Sequence, residues 1–269
     1  GVAKTLLARL TARLIDADFS RIQFTPDLMP SDVLGTTVFN MKTNGFDFHQ
    51  GPIFADIVLE DEINRAPAKT QAALFEVMEE RQVSIDGTTH RMGELYTILA
   101  TQNPVEQEGT YKLPEAQLDR FLMKITMDYP SLEEEVNILE RHHTNAALVK
   151  LEDVTPVLTK EELLSLRALM SRVFVDRTLL QYIALIVQQT RTSKAVYLGA
   201  SPRASVAMLQ SSKAYALLQG RDFVTPEDIK FVAPYVLQHR LILTAEAEME
   251  GYSPVKVTQR LIDKVEVPK

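Results

Sequence analysis

The chain has 269 residues, 45% hydrophobic and 24% charged, which is ordinary for a globular protein and long enough for one large domain or two modest ones. It has no cysteine, which excludes disulfides and thiolate metal sites and fits a reducing cytoplasm. No run approaches the roughly 18 apolar residues of a membrane span, and the opening decapeptide carries Lys4 and Arg9 inside a helical pattern, so it does not read as a signal peptide. The net charge of −7 lies entirely in residues 1–130, with 12 Lys and Arg against 19 Asp and Glu, and the remainder balances at 17 of each. An acidic front half argues against non-specific nucleic-acid binding, which runs on basic surface. The five histidines are scattered, which speaks against a metal site built on them.

Leu6, Leu7, Leu10 and Leu14 recur at helical spacing after Lys4-Thr5, and Arg21 to Phe24 reads as a strand. Asp56 to Leu59 is a short apolar run ending in Glu60-Asp61-Glu62, the pattern of a buried parallel strand. Ala68 to Arg81 predicts an amphipathic helix opened by Pro67. Val83 to Ile85, Asp86-Gly87 and Thr88 to Met92 predict a hairpin on a tight Asp-Gly turn. Tyr96 to Ala100 and Phe121 to Ile125 read as two further strands, so residues 1–128 predict a parallel α/β sheet domain. From Tyr129 the character changes. Ser131 with Glu134 forms a capping box, and helices follow near 160–174, 177–192, 202–219 and 226–239. Two of these have proline at the first helical position behind a hydroxyl cap, Ser201-Pro202 and Thr225-Pro226. Residues 129–269 therefore predict an all-helical second domain.

Five elements carry possible chemistry. Gly1-Val2-Ala3-Lys4-Thr5 before a helix resembles the back half of a phosphate loop, in which helix-start N–H groups and a lysine hold phosphates and a hydroxyl holds Mg²⁺, with Ala3 where the usual pattern has its second glycine. A plain helix start is the bland reading. Asp61-Glu62 closes a strand at the sheet edge where α/β ligands bind, so one carboxylate is placed to hold a metal and the other to orient water. A solvated acidic turn is the alternative, and Glu60 beside the pair favours it. Asn103 after the next strand is placed to position water, or is simply a turn residue before Pro104. Arg120, before the Phe121 run, is placed to reach a neighbouring subunit's nucleotide, or pairs with Asp119 or Glu115. Arg203, at the start of the Ser201-Pro202 helix, is placed to reach back to a phosphate, or is solvated.

Lys-Thr, strand-Asp-Glu, strand-Asn, arginine before a strand and arginine at a later helix start arrive in one order, which resembles the AAA+ ATPases. Longer runs are similar to the MoxR branch of that family: Phe24 to Asp32, Asp61 to Pro67, Ala100 to Gly109, Leu113 to Phe121 and Leu198 to Arg203. The resemblance implies an AAA+ phosphate-loop sheet domain followed by a helical lid. It implies Lys4 and Thr5 as Walker A lysine and hydroxyl, with Gly1, Val2 and Ala3 in the loop. Asp61 becomes the Walker B metal-site acid, Glu62 the water-orienting base, Asn103 sensor 1, Arg120 an arginine finger and Arg203 sensor 2. Residues 33–54 match an insertion in helix 2, and residues 83–92 a pre-sensor hairpin. The resemblance also implies a chaperone-like, Mg²⁺- and ATP-dependent ATPase working as a hexameric ring, without DNA, on partners with von Willebrand factor A domains. A nucleotide-gated assembly scaffold with negligible turnover is the alternative, and a DNA-linked motor a third. The family also places a helix, a central strand and the front of the loop ahead of Gly1, roughly 30–40 residues at average element lengths, so the sequence reads as N-terminally incomplete.

Overall fold

A computed structural model describes residues 4–102, 113–144 and 151–268. In chain order these form α1 (Lys4–Leu14), β1 (Phe19–Gln23), α2 (Pro30–Leu34), β2 (Gly35–Asn40), β3 (Gly45–Gln50), β4 (Ile57–Asp61), α3 (Ala68–Glu80), β5 (Gln82–Ile85), β6 (Thr88–Arg91), β7 (Thr97–Ala100), α4 (Glu115–Leu118), α5 (Leu132–His143), α6 (Lys160–Leu169), α7 (Arg177–Thr192), β8 (Val196–Leu198), α8 (Pro202–Leu218), α9 (Pro226–Leu237), β9 (Ile242–Leu243), α10 (Ala245–Met249) and α11 (Pro254–Lys264). Two compact units exchange segments along the chain. One comprises Gly1–Leu113 with Met127–Leu164, and the other Pro114–Thr126 with Ser165–Lys269. The change of character near Tyr129 lies inside this interleaved stretch.

The first unit is built on a parallel sheet in the order β1-β4-β7, with Gln23 beside Asp61 and Glu60 beside Ala100 in register. The central strand β4 is buried from Ile57 to Glu60, which explains its unbroken apolar run. Helix α1 turns Ala8 and Ala12 inward, while Leu6 and Leu7 are exposed, so small residues set the approach of this helix to β4. Helix α3 buries Leu74, Phe75 and Val77. At the opposite end of the strands, Lys160 Nζ lies 3.0 Å from Asp18 and 2.5 Å from Asp56, tying the start of α6 to the sheet. Burial opposes ionisation of Asp56, yet the bonds from Lys160 and the Asp18 N–H outweigh it and hold its carboxyl below the usual range.

Two hairpins leave this sheet domain. The expected Asp-Gly turn joins β5 to β6, with both Asp86 and Gly87 at positive φ, as a tight primed turn requires. Residues 35–50 form the antiparallel hairpin β2–β3, whose neck is closed by two glycines. A Cβ on Gly35, at φ 103°, would sit 2.3 Å from the His49 carbonyl oxygen, and one on Gly51 would sit 2.2 Å from that of Val33. Only glycine fits there. The two hairpins meet through His90, whose ring lies 4.2 Å from that of Phe48.

In the second unit, α7 buries Leu179, Tyr182, Ile183, Ile186 and Val187 against α8 and α11, while α8 and α9 pack closely through Ala204, Ala207 and Ala233. Its helix starts follow the sequence signals. Ser201 Oγ accepts from the Arg203 N–H at 3.2 Å, and Asp228 accepts from the Thr225 N–H at 2.8 Å. Two differences from expectation stand out. The helical unit also contains a short antiparallel pair, β8–β9, too brief to leave a sequence signature. Phe121 to Ile125 is not a strand: Lys124 N–H donates to Tyr235 O at 2.9 Å and Lys124 O accepts from Gln238 Nε2 at 2.6 Å. The backbone groups that a sheet would pair are taken by α9 and the residue that follows it. No described helix is long and apolar enough to cross a membrane.

Candidate active site

Parallel pairing ends β4 at Asp61, and the chain then leaves the sheet through Glu62, which adopts the left-handed conformation at φ 59°, ψ 49°. Such a conformation in a non-glycine residue costs on the order of 1–3 kcal/mol and persists where the surroundings enforce it. Thr101, just beyond β7, supplies the enforcement. Its hydroxyl donates to Asp61 Oδ1 at 2.6 Å and accepts from the Glu62 N–H at 2.9 Å. One side chain therefore fixes both carboxylate residues.

The three acids of the Glu60-Asp61-Glu62 run have different environments. Glu60 points inward and is fully buried, with neither carboxyl oxygen hydrogen-bonded, and burial pushes its pKa up to about 8, so it is largely protonated at neutral pH. This rules out a simple solvated acidic turn. Asp61 Oδ2 accepts from Arg21 Nε at 3.1 Å and Nη2 at 2.7 Å. Burial works against its charge, but the bonds from Thr101 and Arg21 and the charges of Arg21 and Lys4 prevail, holding the carboxyl below the usual carboxylate range. Glu62 Oε2 accepts from Gln23 Nε2 at 3.2 Å and pairs with Arg65 Nε at 3.1 Å.

Lys4, at the start of α1, donates from Nζ to Gln102 O at 3.4 Å, and its charge reaches Asp61. Thr5 follows it in the first turn of α1. Thus Lys4, Asp61 and Glu62 converge on the C-terminal edge of the sheet. Gly1, Val2, Ala3 and Asn103 lie outside the described residues.

Arg120 and Arg203 both belong to the second unit. Arg120 sits in the turn after α4, its N–H bonded to Gln117 O at 3.2 Å. Arg203 lies in the first turn of α8, which is held by Ser201 and by a fixed approach loop: Ala200 N–H donates to Thr190 Oγ1 at 3.0 Å, and Arg191 Nε donates to Ala200 O at 2.9 Å. Asp119 is engaged by Arg240 Nε at 2.9 Å. Sequence reasoning assigned no role to Thr101, Arg21, Gln23 or Arg240. The only local signal was Thr101 two positions before Asn103; its bonds to the acid pair, like those of Arg21 and Gln23 to the same pair and of Arg240 to Asp119, span more than 35 positions of sequence.

The residues present suit a magnesium ion. Asp61 offers a carboxylate kept ionised, Thr5 offers a hydroxyl, and a site shared with substrate phosphates needs only one or two protein carboxylates. Among the described residues no cluster of three or more His, Asp or Glu builds a separate metal cage.

A parallel sheet with an acid pair closing its central strand, a lysine at the first helix start and a helical unit beyond define an AAA+ ATPase. Comparison with known proteins gives the branch. Residues 1–123 match the profile of the "ATPase family associated with various cellular activities (AAA)", and residues 188–263 match the AAA lid domain. The chain is 48% identical to the uncharacterized protein YeaC of Bacillus subtilis, over all of this chain and 83% of that protein. It is 44% identical to Chaperone MoxR1 of Mycobacterium tuberculosis, over all of this chain and 72% of that one. A crystal structure of a protein from Cytophaga hutchinsonii, provisionally assigned as an ATPase, superposes with a TM-score of 0.90 at 42% identity, covering all of this chain and 83% of that one. The chain belongs to the MoxR family of AAA+ ATPases.

Proposed function

We propose that this protein hydrolyses ATP with Mg²⁺ and spends the energy on remodelling or activating partner proteins. The observation that carries the reading is the acid pair at the end of β4, one carboxylate held ionised beside Lys4 and the next fixed by the same threonine. In this reading Gly1, Val2, Ala3 and Lys4 bind the phosphates, and Thr5 and Asp61 hold Mg²⁺. When bound, the ion neutralises charge on the phosphate oxygens. Glu62 orients the attacking water, with Gln23 and Arg65 restraining its carboxylate, and Asn103 assists. Arg203 contacts the phosphates of its own site, and Arg120 reaches the site of a neighbour. Residues 1–128 supply the nucleotide-binding domain and 129–269 the lid, although the segments of the two compact units interleave along the chain.

A finger acting on a neighbour's nucleotide calls for a ring, which we take to be hexameric and cytoplasmic. The name of the mycobacterial relative supports a chaperone-like role, and proteins with von Willebrand factor A domains are the partners we propose.

The direct test is steady-state phosphate release by the full-length protein. Turnover is expected with Mg²⁺ and is expected to vanish when the metal is chelated. Metal-independent turnover would remove Thr5 and Asp61 from their roles, and no turnover at all would favour a nucleotide-gated scaffold. Thr101→Val keeps the side-chain shape but removes both bonds to the acid pair. At about 1 kcal/mol for each bond, kcat is expected to fall roughly tenfold or more. Wild-type kcat in that variant would show that the clamp does not govern the reacting geometry.

A further inference from the structure

A third arginine is taken out of water beside the two to which a nucleotide role is assigned above. The Arg240 side chain is 2% exposed and uses all five of its N–H donors. Nε donates to Asp119 Oδ1 at 2.9 Å, Nη2 to Asp119 O at 3.1 Å and Phe121 O at 2.6 Å, and Nη1 to Leu122 O at 3.1 Å and to Val236 O. Four of the five acceptors belong to residues 119–122, the turn that contains Arg120, and the fifth lies on α9. His239 Nε2 reinforces the same turn by donating to Phe121 O at 3.0 Å. Burial lowers the pKa of His239 to about 4, which keeps it neutral beside this guanidinium.

The carboxylate of Asp119 faces two ways. Oδ1 receives Arg240, and Oδ2 accepts from Ser201 Oγ at 2.9 Å, the same oxygen that caps α8 by accepting from the Arg203 N–H. The chain of contacts thus runs from α9 through Arg240 and Asp119 to the residue that starts Arg203's helix. The charge of Arg203 also bears unfavourably on Arg240, so Asp119 lies where positive charge accumulates. Burying a guanidinium carries a large desolvation cost, which its bonds must offset. An apolar contact would fill the same space, but it could not fix the register of the backbone turn.

We propose that Arg240 and Asp119 form a positioning pair that locks the turn carrying Arg120 to the helix start carrying Arg203, so that the two arginines move as one body. A shift of the α8 start when Arg203 meets its own nucleotide is then transmitted to the arginine offered to the next subunit. The inference rests on the roles proposed for Arg120 and Arg203.

The test measures kcat, ATP KM and circular dichroism for Asp119→Ala, Arg240→Lys and Asp119→Asn in the full-length protein, with wild type and Arg120→Ala alongside. Displacing a reacting group by about 1 Å can cost on the order of 10²-fold. Asp119→Ala and Arg240→Lys are therefore expected to lose about 10- to 100-fold in kcat, with KM within threefold and helical content retained. Asp119→Asn keeps the shape and the bond accepted from Arg240, while its amide nitrogen can only donate toward Ser201 Oγ, and it is expected to restore part of the turnover that Asp119→Ala loses. Wild-type kcat in folded Asp119→Ala, or losses that merely follow the folded fraction in every variant, would overturn the pair. If either strong variant fails to fold, the other together with Asp119→Asn decides. Should Arg120→Ala itself turn over normally, the finger assignment falls and the pair falls with it. If Arg120→Ala is inactive while Asp119→Ala and Arg240→Lys are normal, only the pair falls.

Discussion

Glu62→Gln is expected to bind ATP while its turnover drops by about 10²–10⁴-fold, the range for losing a positioned general base. The substitution is nearly isosteric. The Glu62 N–H still reaches Thr101 Oγ1 at 2.9 Å, and the amide oxygen still accepts from Gln23, so the loop geometry is kept and only the basic oxygen is lost. The nearby positive charges of Arg21 and Arg65 remain, and Asp61 is untouched, so ground-state binding is preserved. Stopped-assay phosphate release together with fluorescent-nucleotide titration checks both halves. Undiminished turnover would remove Glu62 from the water-orienting role, and lost binding would make it part of the nucleotide cradle instead.

Arg120→Ala is expected to lower turnover by about 10³-fold or more, the scale of an arginine finger. Its distinguishing feature is complementation. Rings mixing Arg120→Ala with Glu62→Gln subunits contain sites in which an intact Glu62 faces an intact Arg120 from the next subunit, so part of the activity should return. Two inactive preparations that stay inactive on mixing, under conditions where they exchange subunits, would assign Arg120 to the architecture of its own chain. Complementation separates the two because a structural arginine repairs nothing across an interface.

Several features were legible because their causes are local. The burial of β4 shows as an unbroken apolar run ending in acids. The Asp86-Gly87 turn follows from the positive φ both residues tolerate, and the starts of α5, α8 and α9 follow from Ser131 with Glu134, Ser201-Pro202 and Thr225-Pro226. The β2–β3 hairpin within residues 33–54 came only from resemblance, since the reason for its closed neck lies in the contact between Gly35 and the His49 carbonyl across the pair.

By itself, then, the sequence determined the elements whose hydrogen bonds close within a few residues, together with the order of the lysine, acid pair and arginines that marks the family. The tertiary structure decided what depends on partners far along the chain. It buried Glu60 inside a strand covered on both faces while Asp61, at that strand's end, stays charged under the bonds from Thr101 and Arg21. It gave Thr101 its hold on residues 40 and 39 positions earlier. It withdrew Phe121 to Ile125 from strand pairing, because α9 and Gln238 claim the Lys124 backbone groups. It also buried Arg240 on a turn 121 positions earlier, a contact that no local pattern of charge or hydropathy encodes.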